Sequence, residues 1–257
     1  MRVPTSFLWL FWGCVDDSIS ALRRALNKAE SIVTLTGAGI SAESGIPTFR
    51  GKDGLWRKFS PQTLATPEAF RRDPKLVWEW YDWRRCLIQK AKPNTGHYAL
   101  AELERRHATP SGSFTLITQN VDGLHDRAGS QNPLKLHGDI WWVRCVGCGK
   151  EQRNEEAPLK ELPPRCDCGA WLRPGVVWFG EELPHGVWER AVEVCSRTKI
   201  MLVIGTSATV YPAAGLAQVA RNAGAQVAVA NPEPSGIDDL ADWILRGPSG
   251  EILPRLL

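Results

Sequence analysis

The junction Ser31-Ile32-Val33-Thr34-Leu35-Thr36 followed at once by Gly37-Ala38-Gly39-Ile40-Ser41 limits the fold more than any other stretch of the chain. The apolar run is short and rich in β-branched residues, and reads as a buried strand. Gly37 and Gly39 let the chain turn tightly and bring bare backbone N–H groups against phosphate oxygens. Ala42 takes the third small position of the G-x-G-x-x-G/A spacing, where packing of turn on strand excludes larger side chains. Such a junction wraps a diphosphate at the edge of an α/β sheet. A tight structural turn has the same spacing, so the rest of the chain must decide.

The strand signature returns at 114–118, 200–204 and 226–230, and more weakly at 242–245. Helical spacing lies between, with Ile19, Leu22 and Leu26 in 16–29 behind the caps Asp16, Asp17 and Ser18, then 74–90, 96–106 and 213–222. Strands alternating with helices predict a parallel α/β sheet. At 257 residues and 43% apolar content, the chain can form one large domain with a smaller companion. Its formal charge of +3 is spread over segments of mixed sign, which speaks against nucleic-acid and membrane-surface partners. No apolar run reaches the roughly 18 residues of a membrane span. Residues 1–15, with Phe7-Leu8-Trp9-Leu10-Phe11-Trp12 behind Arg2, read as an apolar arm packed on the body. A secretory leader would want small residues where bulky Trp and Phe flank Gly13-Cys14. The expectation is a cytoplasmic monomer.

Four of the seven cysteines form Cys145-x-x-Cys148 and Cys166-x-Cys168, with 17 residues between the pairs. Two tight pairs bring four thiolates to one tetrahedral Zn²⁺, whereas a disulfide framework spreads its cysteines through a small secreted chain. A redox dithiol is the alternative. The cysteines interrupt the strand–helix alternation over about residues 140–174 and mark an inserted module folded by its metal. Cys14, Cys86 and Cys195 lack companion ligands and read as small apolar residues.

Polar clusters end three strands, where an open α/β sheet binds its ligands. They are Thr118-Gln119-Asn120-Val121-Asp122, Gly205-Thr206-Ser207 and Asn231-Pro232-Glu233. Their hydroxyl and amide groups suit ribose and phosphate edges, although each is also ordinary turn chemistry. A dehydrogenase would place an acidic ribose ligand about 20 residues after the glycines. Residues 51–92 read instead as loop and helix, without the usual second strand, which counts against hydride transfer.

In combination, over residues 16–257, these features resemble the sirtuin family of NAD-dependent protein deacylases. GAGIS and IPTFR within Gly37–Arg50, TQNVD through Asp122, His137-Gly138, the four cysteines, Phe179-Gly180-Glu181, Gly205-Thr206-Ser207 and Asn231 occur in family order. The resemblance implies an α/β fold: a Rossmann-like parallel-sheet domain from residues 16–136 and 175–257. A helical acyl-pocket segment with the cofactor loop would occupy 45–95, and a zinc-ribbon module 137–174. It implies NAD as a consumed co-substrate and one structural Zn²⁺ on Cys145, Cys148, Cys166 and Cys168. Acyl-lysine proteins or peptides would lie extended between Val177, Phe179, Gly180 and the loop of Tyr211, pairing main chain to main chain.

The implied mechanism assigns His137 as general base, a role its ordinary pKa near 6.5 permits at cellular pH. The acyl carbonyl oxygen attacks the ribose carbon that bears nicotinamide, nicotinamide leaves, and the activated ribose hydroxyl closes on the acyl carbon. Lysine, nicotinamide and O-acyl-ADP-ribose result. Asn120, also catalytic, and Asp122 would orient the nicotinamide end, Gln119 and Ser207 would meet the riboses, and Phe49 and Arg50 would lie in the cofactor loop. Gly37, Ala38, Gly39, Ser41, Glu43, Trp56, Val121, Gly205, Thr206, Asn231, Pro232, Glu233 and Ser249 complete the implied cofactor contacts.

Within Trp78–Arg85, Tyr81 and Arg84 are spaced i, i+3 and share one helix face. A phenol beside a guanidinium fork is a good receptor for a carboxylate. Tyr-x-x-Arg looks like the signature of the class III sirtuins, whose substrates are succinyl-, malonyl- and glutaryl-lysine. Ala65 resembles the small residue that makes room for their longer acyl chains. Aromatic packing, with Arg84 and Arg85 solvated or paired with Glu79 or Glu104, is the structural alternative. The expected activity is desuccinylation and demalonylation with weaker deacetylation; the alternatives are a plain deacetylase or a non-catalytic NAD-sensing module.

Overall fold

The computed structural model describes residues 6–50, 54–109 and 112–257, with side chains from Asp17 onward; residues 1–5 of the expected arm lie outside them. In chain order the elements begin with α1 (Ser6–Lys28), β1 (Ser31–Thr36), α2 (Pro61–Leu64), α3 (Pro67–Arg72), α4 (Pro74–Lys90) and α5 (Thr95–His107). They continue with β2 (Ser113–Thr118), α6 (Leu124–Arg127), β3 (Leu134–Lys135), β4 (Gly138–Cys145), β5 (Glu151–Arg153) and β6 (Leu172–Val176). Last come α7 (His185–Cys195), β7 (Ile200–Ile204), α8 (Leu216–Asn222), β8 (Gln226–Ala230), β9 (Trp243–Leu245) and α9 (Ser249–Ile252). The helix expected from Asp16 starts ten residues earlier, at Ser6, so residues 6–15 belong to it and form no separate arm. Among the described residues no helix is long and apolar enough to cross a membrane.

Six strands form one parallel sheet in the order β3-β2-β1-β7-β8-β9. Counted within that sheet the order is 3-2-1-4-5-6, the doubly wound dinucleotide arrangement, which reverses direction between β1 and β7. Helices cover both faces at that point, so β1 is buried from Ile32 to Thr36 and the wholly apolar β7 is buried at every residue. The β1-to-β2 crossover is present but long, carrying α2 to α5 where a dehydrogenase would have a short helix. One face packs against α1 through Ile19, Leu22 and Leu26, against α5 through Leu100 and Leu103, and against the C-terminal Leu253 and Leu256. The other packs against Ala191 and Cys195 of α7 and Leu216, Ala217 and Ala220 of α8.

A third core lies off the sheet. Strands β5-β4-β6 form a small antiparallel sheet whose Val143, Leu172 and Val176 join Leu64, Phe70, Trp78, Trp80 and Ile88 of α2, α3 and α4. The inserted module therefore buries its apolar side chains against the helical crossover, and the two share one core. That corrects the assignment of the 45–95 segment to the sheet domain.

Candidate active site

A cleft of about 700 Å³ opens at the β1/β7 switch point and runs to the third core. Gly37, Ala38, Gly39, Ser41, Phe49, Arg50 and Trp56 line it, with Gln119, Asn120, Val121, Asp122, Gly205, Thr206, Ser207, Asn231, Pro232 and Glu233. So do His137, Ala65, Tyr81, Arg84, Val177, Phe179, Gly180 and Tyr211. Two expected residues do not line it: Glu43 accepts the Gly250 N–H (2.7 Å), and Ser249 is buried beside that contact.

The glycines work differently from the expectation. A Cβ on Gly37 would stand 2.7 Å from Thr206 Cβ, and one on Gly39 2.7 Å from both Cα and O of Gly205. Their N–H groups are already engaged, Gly37 donating to Ile204 O (2.9 Å) and Gly39 to Gly205 O (2.7 Å). They are glycines because the turn after β1 lies against the turn after β7. Ala42 is exposed on the cleft side, so the turn-on-strand packing assigned to it falls to Gly37 and Gly39.

Beneath that turn lies a buried polar network. Asn120 Nδ2 donates to Gly37 O (3.1 Å) and Ser41 Oγ (3.2 Å), which fixes its amide orientation, since only the NH₂ can bond a carbonyl. Ser41 Oγ donates to Asp122 Oδ2 (2.8 Å), while Asp122 Oδ1 accepts the Leu124 N–H (2.9 Å). Burial raises the Asp122 pKa, against those two bonds and the nearby Arg84 charge. His97 approaches Ser41 Oγ at 3.4 Å, and His125 bonds Thr36 Oγ1 at 2.9 Å. Burial keeps both rings neutral, with pKa values pushed down to about 4 and about 3.

His137 stands between the two ends of the cleft, just before β4. Its Nδ1 lies 3.0 Å from Gln119 O. A carbonyl only accepts, so Nδ1 carries the proton and Nε2 keeps its lone pair. Burial lowers the ring's pKa, and the bond to Gln119 only partly opposes it. A neutral imidazole with a free Nε2 is a general base.

At the far end, Tyr81 and Arg84 share a face of α4 as expected and are both buried. The Arg84 guanidinium carbon sits 4.9 Å from the ring centres of Phe49 and Trp80 and 5.7 Å from that of Tyr81. Among the described residues it has no hydrogen-bonding or ion-pair partner, and burial lowers its pKa. Arg85 is fully buried against Trp141 and donates to Asn154. Pairing with Glu79 or Glu104 is thereby overturned for both arginines. Trp56 stacks on Trp80 and meets Phe179 edge-on, closing the outer wall. The Val177, Trp178 and Phe179 N–H groups are taken by His137 O, Glu181 Oε2 and Ala65 O. An extended peptide there must therefore pair elsewhere, with carbonyls or with Gly180.

The four cysteine sulfurs lie within 4.8 Å of one another, Cys145 to Cys168 at 3.4 Å and Cys148 to Cys166 at 3.8 Å. Zn–S bonds of about 2.3 Å in a tetrahedron separate sulfurs by about 3.8 Å, so the set fits zinc. The Gly147 and Cys148 N–H groups point at Cys145 Sγ and support a thiolate there. None of the four lines the cleft, and four thiolates leave a metal no open position, so the site is structural.

The sequence did not single out His97, His125 or Arg173, and Trp178 entered only as part of the peptide-binding stretch 177–180, with no contact to Tyr81. Asn94 before α5 is a readable N-cap, and it accepts the Gly96 N–H at 2.9 Å. Nothing local says that His97, three residues on, turns inward to the site.

A model described as the Sir2 family matches residues 37–212. A protein named NAD-dependent protein deacylase from Aquifex aeolicus (strain VF5) is 61% identical over 213 residues, covering 82% of this chain and 87% of its own length. Another, NAD-dependent protein deacylase 2 of Pyrobaculum aerophilum, is 53% identical over 233 residues, covering 90% and 92%. Among solved structures, a Sir2 homolog–NAD complex superposes with TM-score 0.86 at 47% identity, covering 92% of this chain and 91% of that one. A Sir2 enzyme bound to a deacetylated p53 peptide and 3′-O-acetyl ADP-ribose gives 0.85 at 34% identity, with coverages of 93% and 96%.

Proposed function

The chain belongs to the Sir2 family and is an NAD-dependent protein deacylase, and from that premise we propose that it removes short acidic acyl groups, succinyl and malonyl, from lysine, acetyl being the poorer substrate. The observation that carries this reading is Arg84. A guanidinium held in an aromatic wall with no anionic partner among the described residues carries a desolvation cost that a ligand carboxylate offsets. The Tyr81 hydroxyl is its neighbour, and burial raises the phenol pKa so that it stays a donor. An acetyl group brings no charge to either.

The residues of the cleft can carry the reaction. The buried amide of Asn120 and the Asp122 carboxylate hold the end of the cleft where nicotinamide departs. The acyl oxygen forms its bond to the ribose carbon as the nicotinamide nitrogen leaves with the bonding pair. His137 Nε2 then takes a ribose hydroxyl proton, and that oxygen closes on the acyl carbon. The lysine amine departs with the proton that His137 took up, and a water adds to the acyl carbon of the cyclic cation left behind; its bond to the anomeric oxygen then breaks, leaving O-acyl-ADP-ribose. Ala65 beside the cleft leaves room for the longer chain.

The test is kinetic, with succinyl and acetyl peptides of one sequence. The wild-type protein should favour succinyl in kcat/KM, and Arg84→Met should reduce that preference by about 30-fold or more, the value of a lost charged hydrogen bond. Succinyl preference surviving in Arg84→Met, or acetyl preferred by the wild type, rejects the reading. Nicotinamide release in step with acyl-ADP-ribose confirms the reaction type in the same assay.

A further inference from the structure

One donor at the acyl end is aimed by a neighbour that lies outside the Tyr-x-x-Arg pair. Trp178 Nε1 donates to the Tyr81 hydroxyl oxygen at 3.0 Å. Trp178 is itself clamped. Its backbone N–H donates to Glu181 Oε2 (2.8 Å), and its ring lies against the Arg173 guanidinium, whose carbon is 3.5 Å from the ring centre. Arg173 in turn forks onto both oxygens of Glu181, Nη2 donating to Oε2 at 2.8 Å. Phe70 packs on the same indole at 5.4 Å between ring centres. Only 3% of Trp178 is exposed, so its N–H has one direction available.

A phenol oxygen accepts on one side and donates through its single O–H. With Trp178 on the accepting side, the Tyr81 proton must turn away from it. Among the described residues no acceptor receives that proton. Tyr81 and Arg84 therefore present two donors to the same end of the cleft, and the charge that can use both is a carboxylate.

We propose that Trp178 is a positioning residue for acyl selectivity: its indole N–H, held by the Arg173–Glu181 pair, fixes Tyr81 as a donor to the terminal carboxylate of the bound acyl group. This rests on the acidic-acyl reading above. Loss of the indole N–H lets the phenol rotate and leaves its oxygen without a donor, so succinyl binding weakens while the uncharged acetyl group has no such bond to lose.

The experiment is a double-mutant cycle on the ratio of kcat/KM for succinyl and acetyl peptides, with Trp178→Phe, Tyr81→Phe and the pair. Trp178→Phe should lower the ratio about 10-fold, chiefly through KM for the succinyl peptide, as expected when a hydrogen bond to a charged group is lost. In the Tyr81→Phe background it should lower the ratio no further, since the donor it orients is gone. An unchanged ratio in Trp178→Phe, or full additivity in the pair, overturns the inference. Should Trp178→Phe fail to fold, Glu181→Gln loosens the clamp and keeps the indole; it should lower the ratio about 3-fold, and an unchanged ratio counts equally against the proposal. A wild type without succinyl preference sinks the acidic-acyl reading itself, whereas preference that is insensitive to these variants sinks only the role of Trp178.

Discussion

The two ends of the cleft are built from different materials. At the β1/β7 end, main chain meets main chain: the turns at Gly37–Gly39 and Gly205 touch so closely that no side chain fits between them. At the acyl end the walls are side chains: Phe49 and Trp56 from the segment between β1 and α2, and Trp80, Tyr81 and Arg84 on α4, whose adjoining face is bonded to the zinc module. Trp78 Nε1 donates to Leu172 O (2.7 Å), Asp82 Oδ1 accepts the Leu159 N–H (2.9 Å), and Arg85 donates to Asn154. A site made of backbone accepts one ligand shape and tolerates little change. A site made of side chains can be retuned by substitution while the fold stays intact, and here its placement depends on a separate core.

The strongest way to break that comparison is to remove the metal. A structural zinc supplies on the order of 10 kcal/mol to the folding of such a module. Because α4 shares its core with β4 and β6, stripping the metal with a chelator should disorder the acyl end first. ADP-ribose binding, followed by calorimetry, should outlast succinyl-peptide turnover. If both vanish at the same chelator concentration, the two ends are one cooperative unit and the acyl end does not depend on a separate core.

Gly39→Ala strikes the other end. Its Cβ would meet backbone atoms of Gly205 at 2.7 Å, which cannot rotate aside, so one of the two turns must move. A displacement near 1 Å at a reacting site costs about 100-fold. The loss should appear in kcat/KM for NAD, while the succinyl-to-acetyl ratio stays at its wild-type value. A changed acyl ratio with normal NAD kinetics would mean that the ends are not separable in this way.

The same division decides what the sequence could reveal. Strand β1 and the glycines after it were legible as a junction, from a short run rich in β-branched residues and the glycine spacing; the reason for the glycines was not, because the turn they pack against, at Gly205, is far away in sequence. The four cysteines were legible because four soft ligands need a set spacing. Tyr81 and Arg84 were legible as neighbours on one face, since i, i+3 is local geometry. The contacts of Trp178 with Tyr81 and of Asn154 with Arg85 were not, because they join residues 97 and 69 positions apart. Nor does local sequence distinguish Arg84, in the cleft wall, from Arg85, which ties the helix to the zinc module. The third core was misassigned for a related reason: the cysteine module is too short to bury a core alone, and only its packing against the distant helical crossover makes one.

The smallest effect is at the residue that joins the two ends. His137 gives its Nδ1 proton to Gln119 O, on the NAD side, and its own carbonyl accepts the Val177 N–H, on the acyl side. Burial lowers its pKa. A histidine with the ordinary value of 6.5 would be only about one-quarter neutral at pH 6, and a base-dependent rate would fall about 4-fold from its plateau. A lowered pKa shifts the balance toward the neutral ring, so the loss of rate begins at lower pH. The acid limb of the acyl-transfer rate, read from acyl-ADP-ribose formation in single turnovers, should therefore have its midpoint below 6.5. The same limb should appear with succinyl and acetyl peptides, since the desolvation comes from the walls of the junction and not from the acyl group. A midpoint that moves with the acyl group would place His137 within the acyl end and would undo its position between the two.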